Sequence, residues 1–126
     1  MHVELARALV PVLHDLETTG GPVPQVDDED RQHDPRWPSA MLRGADGSAM
    51  GISVTFGDSR PEQVAQVADQ VQEWAVEELW GSRPTNWPPC PHHPTTHPLQ
   101  ATVRDGAARW TCPKDGTAVA VIGTLG

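Results

Sequence analysis

Apolar side chains recur at helical spacing along residues 2 to 17. One stripe is formed by Val3, Leu5, Ala6, Leu9, Val10, Leu13 and Leu16. The opposite side carries Glu4, Arg7, Asp15 and Glu17. The pattern predicts an amphipathic helix that ends at Gly20-Gly21-Pro22. Pro11 removes one backbone donor within it, which is compatible with a kink or with a start nearer residue 9.

A hairpin over residues 40 to 56 and a long helix over residues 61 to 80 are predicted next. Beyond an Asp-Gly turn, Ile52, Val54 and Phe56 alternate with polar residues, so these three side chains are expected to face a core. The apolar stripe of the helix comprises Val64, Val67, Ala68, Val71, Trp74, Ala75 and Leu79. We expect the helix to cover the hairpin, with Trp74 and Trp80 in the core or at a seam, and to stop at Gly81 and Pro84.

The segment between the first helix and the hairpin, residues 20–38, is rich in proline and holds the acidic run Asp27 to Asp30. Both features disfavour regular structure and predict an extended, solvated loop. Val23, Val26 and Trp37 are the side chains expected to anchor it. The run lacks the glycine and the ligand spacing of a calcium loop, so a bound hard cation is not favoured.

Prolines dominate the chain from Pro84 to Pro98, and this stretch is too stiff and too poor in donors for a helix or a central strand. Alternating residues then predict strands at 99–103, 107–112 and 117–122, with Asp-Gly turns between them. The whole pattern predicts an α+β fold. We expect an α+β domain over residues 1–83 and a small module with a three-stranded meander over residues 84–126.

The module holds both cysteines of the chain and a set of histidines close to them. Cys90 and His93 have the spacing of a zinc-ribbon turn, Cys112 opens a second turn, and His97 follows His93 by four residues. The predicted ligands of a structural Zn²⁺ are therefore Cys90, His93, His97 and Cys112. Competing sets replace His93 by His92, or His97 by Asp115. Thiolates and imidazoles suit zinc better than a carboxylate does.

A structural metal fits the composition, because the chain is 37% apolar with one Phe and no Tyr, and a modest core benefits most from a metal staple. No catalytic residues are predicted. His93 and His97 have the spacing of a zinc-protease helix, but Pro94 stands where the required Glu would be. The alternative is a zinc-dependent hydrolase with an open metal position, served by His92 or Asp115.

The net charge of −8 disfavours nucleic acid as a partner, since an acidic surface repels phosphate. No segment has the layout of a signal peptide or the length of a membrane span, so we expect a cytoplasmic protein. In that compartment the two cysteines are expected to be metal ligands or free thiols instead of a disulfide. A protein partner is expected, docked by exposed Trp37, Trp80 or Trp87.

Several motifs of the chain also form a recognisable set. They are Asp69 to Trp74 with Leu79-Trp80, Trp87-Pro88 before Cys90-Pro91 and His93, His97-Pro98-Leu99, and Trp110 to Pro113. This set resembles a group of small uncharacterised proteins of actinomycete bacteria over nearly the whole chain. The last motifs are also similar to a zinc ribbon in which one Cys of each knuckle is replaced. The resemblance implies an actinomycete origin and a metal site only.

Overall fold

The periodicities described above become two helices and six strands in the computed structural model, which describes residues 1–27, 37–80 and 86–125. The elements are α1 (Val3–Thr18), β1 (Gln25–Asp27), β2 (Ser39–Arg43), β3 (Ala49–Ser53), α2 (Arg60–Trp80), β4 (Gln100–Arg104), β5 (Ala107–Thr111) and β6 (Ala118–Val121). They form two antiparallel sheets with strand orders β1-β2-β3 and β4-β5-β6. The predicted α+β fold is confirmed.

Parts of two predictions lie outside the described residues. One is residues 28–36 of the predicted acidic loop, and the other is the helix stop at Gly81 and Pro84 together with the domain boundary between residues 83 and 84. The division of the chain at that boundary stays a prediction. The described core is one cluster that contains side chains from both sides of it, including Leu5, Val71, Leu99 and Trp110.

Helix α1 runs unbroken through Pro11. Its N-cap is His2, whose Nδ1 accepts a hydrogen bond from the backbone N–H of Glu4 at 3.1 Å and so satisfies one of the free donors of the first turn. Val3 and Val10 of the predicted apolar stripe are exposed, so the buried face is narrower than the sequence pattern indicates.

Strand β1 corrects the expectation of an irregular loop at Gln25–Asp27. Val26 pairs with Leu42 of β2, and the guanidinium of Arg43 donates to the carboxylate of Asp27 at 3.1 Å. Of the expected anchors only Val26 packs against the core, whereas Val23 is 53% and Trp37 is 49% exposed. The composition of this stretch is typical of a loop, but its backbone pairs with the outer edge of the hairpin formed by β2 and β3. This pairing makes it a short strand.

Strand β3 lies at the other edge of the first sheet, and side chains of α2 satisfy its outer backbone groups. Gln70 accepts from the N–H of Ser53 at 3.0 Å and donates to its carbonyl at 2.7 Å, and Gln66 accepts from the N–H of Thr55 at 2.9 Å. The chain has left the strand by Thr55, so the alternation does not continue. The prediction that Phe56 is buried is therefore wrong: its side chain is 57% exposed and stacks edge-on against His2.

The tryptophans divide between core and surface differently from the expectation. Trp74 and Trp87 are each only 3% exposed, whereas Trp80, at the end of α2, is 59% exposed. The expectation of an exposed Trp87 is wrong, because its indole packs inside the fold. Within the described ranges, neither helix has the length and apolar content needed to cross a membrane.

Candidate metal centre

The four side chains predicted as zinc ligands come together at one end of the second sheet. The ligand atoms of Cys90, His93, His97 and Cys112 all lie within 4.8 Å of one another. Three sulfur to nitrogen separations, from Cys90 Sγ and Cys112 Sγ to His93 Nδ1 and from Cys112 Sγ to His97 Nε2, are each 3.8 Å.

These separations match what a single tetrahedral ion requires. With bonds of about 2.3 Å to sulfur and about 2.0–2.1 Å to nitrogen, the tetrahedral angle sets the sulfur to nitrogen distance at about 3.6 Å. The observed 3.8 Å is close to that value for every measured pair. The cluster could therefore hold a metal ion.

The first knuckle is the loop from Cys90 to His97, and it consists of two successive turns. The N–H of His93 donates to the carbonyl of Cys90 at 3.1 Å, and the N–H of Thr96 donates to the carbonyl of His93 at 3.1 Å. The two turns bring Cys90, His93 and His97 to the same side of the loop. At its base, Pro89 and Pro98 form an isolated antiparallel bridge, and the N–H of Leu99 donates to the carbonyl of Pro88 at 2.8 Å.

The ring of His97 is oriented by its second nitrogen. Nδ1 lies 3.0 Å from the carbonyl oxygen of Pro98, which can only accept a hydrogen bond, so Nδ1 carries the proton. The lone pair of the neutral ring is then on Nε2, which is the atom that faces Cys112. Such a carbonyl partner is typical of metal-binding histidines, because it fixes both the tautomer and the ring plane.

The second knuckle follows β5 directly. Cys112 exchanges backbone hydrogen bonds across the turn, donating to Thr117 at 2.8 Å and accepting from Gly116 at 2.9 Å. Gly116 has a φ of 78°, which a residue with a side chain adopts only with strain. The turn holds the sulfur of Cys112 toward the two histidines of the first knuckle.

Asp115 is engaged within this same turn. Its Oδ1 accepts the N–H of Thr117 at 2.8 Å, and hydrogen bonds from the backbone and then the hydroxyl of Thr117 lower the pKa of Asp115 to about 2. Neither Asp115 nor His92 belongs to the converging group found among the described residues. The competing ligand sets are thus less favoured by the geometry, although ligation itself stays a prediction.

A cation would have to displace protons from the thiols of this site. Cys90 and Cys112 are buried free thiols, and the two histidines are half-buried. Burial raises the pKa of the Cys112 thiol, while the backbone N–H groups of Lys114 and Asp115 point at the sulfur and act in the opposite direction. A thiol held neutral by burial becomes a thiolate when a divalent cation displaces its proton.

Two indole groups fasten this centre to α1. Trp110, two residues before Cys112, donates from Nε1 to the Oδ2 of Asp15 at 2.8 Å. Trp87, before the first knuckle, donates from Nε1 to the hydroxyl of Thr19 at 3.0 Å, and its ring packs edge-on against Trp110 at 5.6 Å. The segments that carry the candidate ligands are therefore linked, through two packed tryptophans, to α1 and its C-cap.

Asp15 is a residue that the sequence pattern placed wrongly. Its side chain was expected on the polar face of α1, yet it is completely buried. It also accepts from the backbone N–H of Gly123 at 2.8 Å and of Leu125 at 2.9 Å, so both oxygens are occupied. The burial is tolerated because the carboxylate is fully hydrogen-bonded, and no local sequence signal reveals donors that lie so far along the chain.

The chain matches no family model, no curated protein and no solved structure. The assignment of the site therefore rests on its geometry and on the chemistry of its donor atoms.

Proposed function

We propose that this chain is a non-enzymatic zinc-binding protein whose ion is structural and stabilises a small protein-interaction module. The ion is Zn²⁺, and its ligands are Cys90, His93, His97 and Cys112. The observation that carries the proposal is the convergence of two sulfur and two nitrogen atoms at tetrahedral separations. Two thiolates and two imidazoles form a donor set typical of structural zinc.

The same convergence argues against the hydrolase alternative. Catalytic zinc keeps three protein ligands and an open position for water, and four converging protein ligands leave no such position. His92 and Asp115, the groups that a hydrolase would use, lie outside the cluster. We also propose a cytoplasmic protein of actinomycete origin with a zinc-ribbon-like tail, in line with the motifs of the sequence.

The interaction part of the proposal rests on surface tryptophans. Trp37 and Trp80 are 49% and 59% exposed, and large aromatic side chains at a surface are typical anchors for a protein partner. Trp87 is not proposed to contact a partner, because its side chain is buried and hydrogen-bonded to Thr19.

Metal analysis of the purified full-length chain tests the zinc assignment. We expect about one zinc per wild-type chain, loss of that zinc in Cys112→Ser, and its retention in His92→Ala, the matched histidine control outside the cluster. Co²⁺ in place of zinc is expected to give the strong visible absorption of a tetrahedral thiolate site. A zinc-free wild type, or equal zinc loss in His92→Ala and Cys112→Ser, would contradict the proposal.

A further inference from the structure

A single side chain of α2 spans the base of the ligand loop. The Nε2 of Gln72 donates to the carbonyl oxygen of Trp87 at 3.1 Å and to the carbonyl oxygen of Leu99. These carbonyls lie just outside the bridge between Pro89 and Pro98, one on each arm of the loop. Gln72 thus ties together the two arms that enclose Cys90, His93 and His97.

The ligand loop is held through its base and by one hydrogen bond nearer its tip, from Nδ2 of Asn86 to the carbonyl oxygen of Pro94 at 3.3 Å. Most side chains between Pro91 and Thr96 are exposed, so they add little packing energy. Its prolines have no N–H to donate, which reduces the number of possible internal hydrogen bonds. The separation of the two arms therefore depends on the backbone bridge and on the carboxamide of Gln72.

We propose that Gln72 is a positioning residue of the metal centre. By holding the carbonyls of Trp87 and Leu99 at a fixed separation, its carboxamide sets the positions of the first-knuckle ligands and so the affinity and coordination geometry for the ion. This inference rests on the proposed zinc site and extends it to a residue whose hydrogen bonds go to the backbone on either side of the ligand loop. Groups that orient ligands from a distance commonly change metal affinity by about 10- to 100-fold.

The substitution that tests this is Gln72→Glu. It keeps the size and length of the side chain but replaces the NH₂ group, which has two donors, with an oxygen that can only accept. That oxygen would face two carbonyl oxygens, so the two arms are expected to move apart. Gln72→Lys restores donors on a flexible side chain that is one methylene longer, and it serves as the rescue variant.

Gln70 provides a matched control on the same helix. Its Nε2 also donates to two carbonyls, that of Ser53 at the end of β3 and that of Gln66 one turn earlier on α2, both away from the ligand loop. Gln70→Glu therefore makes the same chemical change at the same kind of contact. Any effect of an added charge or of a weakened α2 should be common to both variants.

The experiment measures zinc affinity by competition with a chromogenic chelator and the visible spectrum of the Co²⁺ form, on full-length chains. We expect Gln72→Glu to bind zinc about 10-fold more weakly and to shift the Co²⁺ bands, with Gln72→Lys within about 3-fold of wild type. Gln70→Glu is expected to keep wild-type affinity and an unchanged spectrum.

Two results would overturn the inference: an unchanged affinity and spectrum in Gln72→Glu, or equal losses in Gln72→Glu and Gln70→Glu. If Gln72→Glu fails to fold, Gln72→Ala, which removes the donors without adding a charge, decides instead: weaker zinc binding at wild-type stability supports the positioning role, and unchanged zinc affinity contradicts it. Failure of the proposed zinc site would give a different result from failure of the Gln72 inference, because the wild-type protein itself would then bind no zinc.

Discussion

Replacement of Asp15 by Asn changes a buried polar contact between α1 and the second sheet with the segment that follows it. Oδ2 accepts from the indole of Trp110 and from Gly123, and Oδ1 accepts from Leu125. An Asn side chain has one acceptor oxygen and one donor group. If its oxygen takes the place of Oδ2, its NH₂ group meets the N–H of Leu125, so at least one hydrogen bond is lost.

The magnitude follows from these bonds. A hydrogen bond to a charged group contributes about 1.5–3 kcal/mol and a neutral one about 0.5–1.5 kcal/mol. Asp15→Asn removes one charged bond and turns two into neutral ones, while relief of the buried charge offsets part of the loss. We therefore expect the free energy of unfolding to fall by about 2–4 kcal/mol, a large share of the total of about 5–15 kcal/mol that is typical of a domain.

The assay is urea denaturation of the zinc-saturated chain. Glu17→Gln, which makes the same kind of change at an exposed site of the same helix, is the control and is expected to change stability by less than about 0.5 kcal/mol. A double-mutant cycle of Asp15→Asn with Trp110→Phe should give a coupling energy of about 1–3 kcal/mol. The reasoning is refuted if Asp15→Asn matches the Glu17→Gln control, or if the two changes are additive.

Two further predictions concern the C-terminal turn and the metal. Gly123 has a φ of 105°, and a Cβ there would lie 2.8 Å from Cβ of Pro11, whereas Gly47 has a φ of 86° and open space around it. Gly123→Ala is therefore expected to lower the stability by about 1–3 kcal/mol more than Gly47→Ala in urea denaturation, and equal losses would contradict this. Zinc occupancy, followed with a chelator dye, is expected to fall as the pH drops from about 7 to about 5, because protons then compete for the thiolates and imidazoles. An occupancy that stays constant over this range would count against these ligands.

The helices and most strands could be predicted from the sequence because their patterns are local. The stripe of α2 and the alternation in β5 follow from the side chains that each element buries. The predictions fail where a contact with a residue far along the chain determines the local structure. Gln25–Asp27 becomes a strand because β2 lies beside it, and Phe56 is exposed because the glutamines of α2 take over from the sheet beyond Ser53.

The candidate ligands could also be predicted, since Cys90, His93 and His97 lie within one short loop at metal-binding spacing. The residues that hold the loop could not. Trp110 lies 95 positions from Asp15, and Leu99 lies 27 positions from Gln72. A polar residue on a helix gives no local sign that its partner is a carbonyl or an indole of another element.

The anchoring of the metal loop has a consequence for how the fold and the ion depend on each other. An ion that joins Cys90 to Cys112 closes a long stretch of chain, and closing it costs entropy that the stiff, exposed loop cannot recover by packing. Hydrogen bonds that need no ion restrict this stretch and the segment just before it: Trp110 bonds to Asp15, Trp87 bonds to Thr19, and Gln72 bonds to Trp87 and Leu99. Part of the entropy cost of ordering the ligand segments is therefore met when the helices fold. Weakening any of these three contacts should weaken zinc binding. Removal of zinc should in turn weaken the contacts.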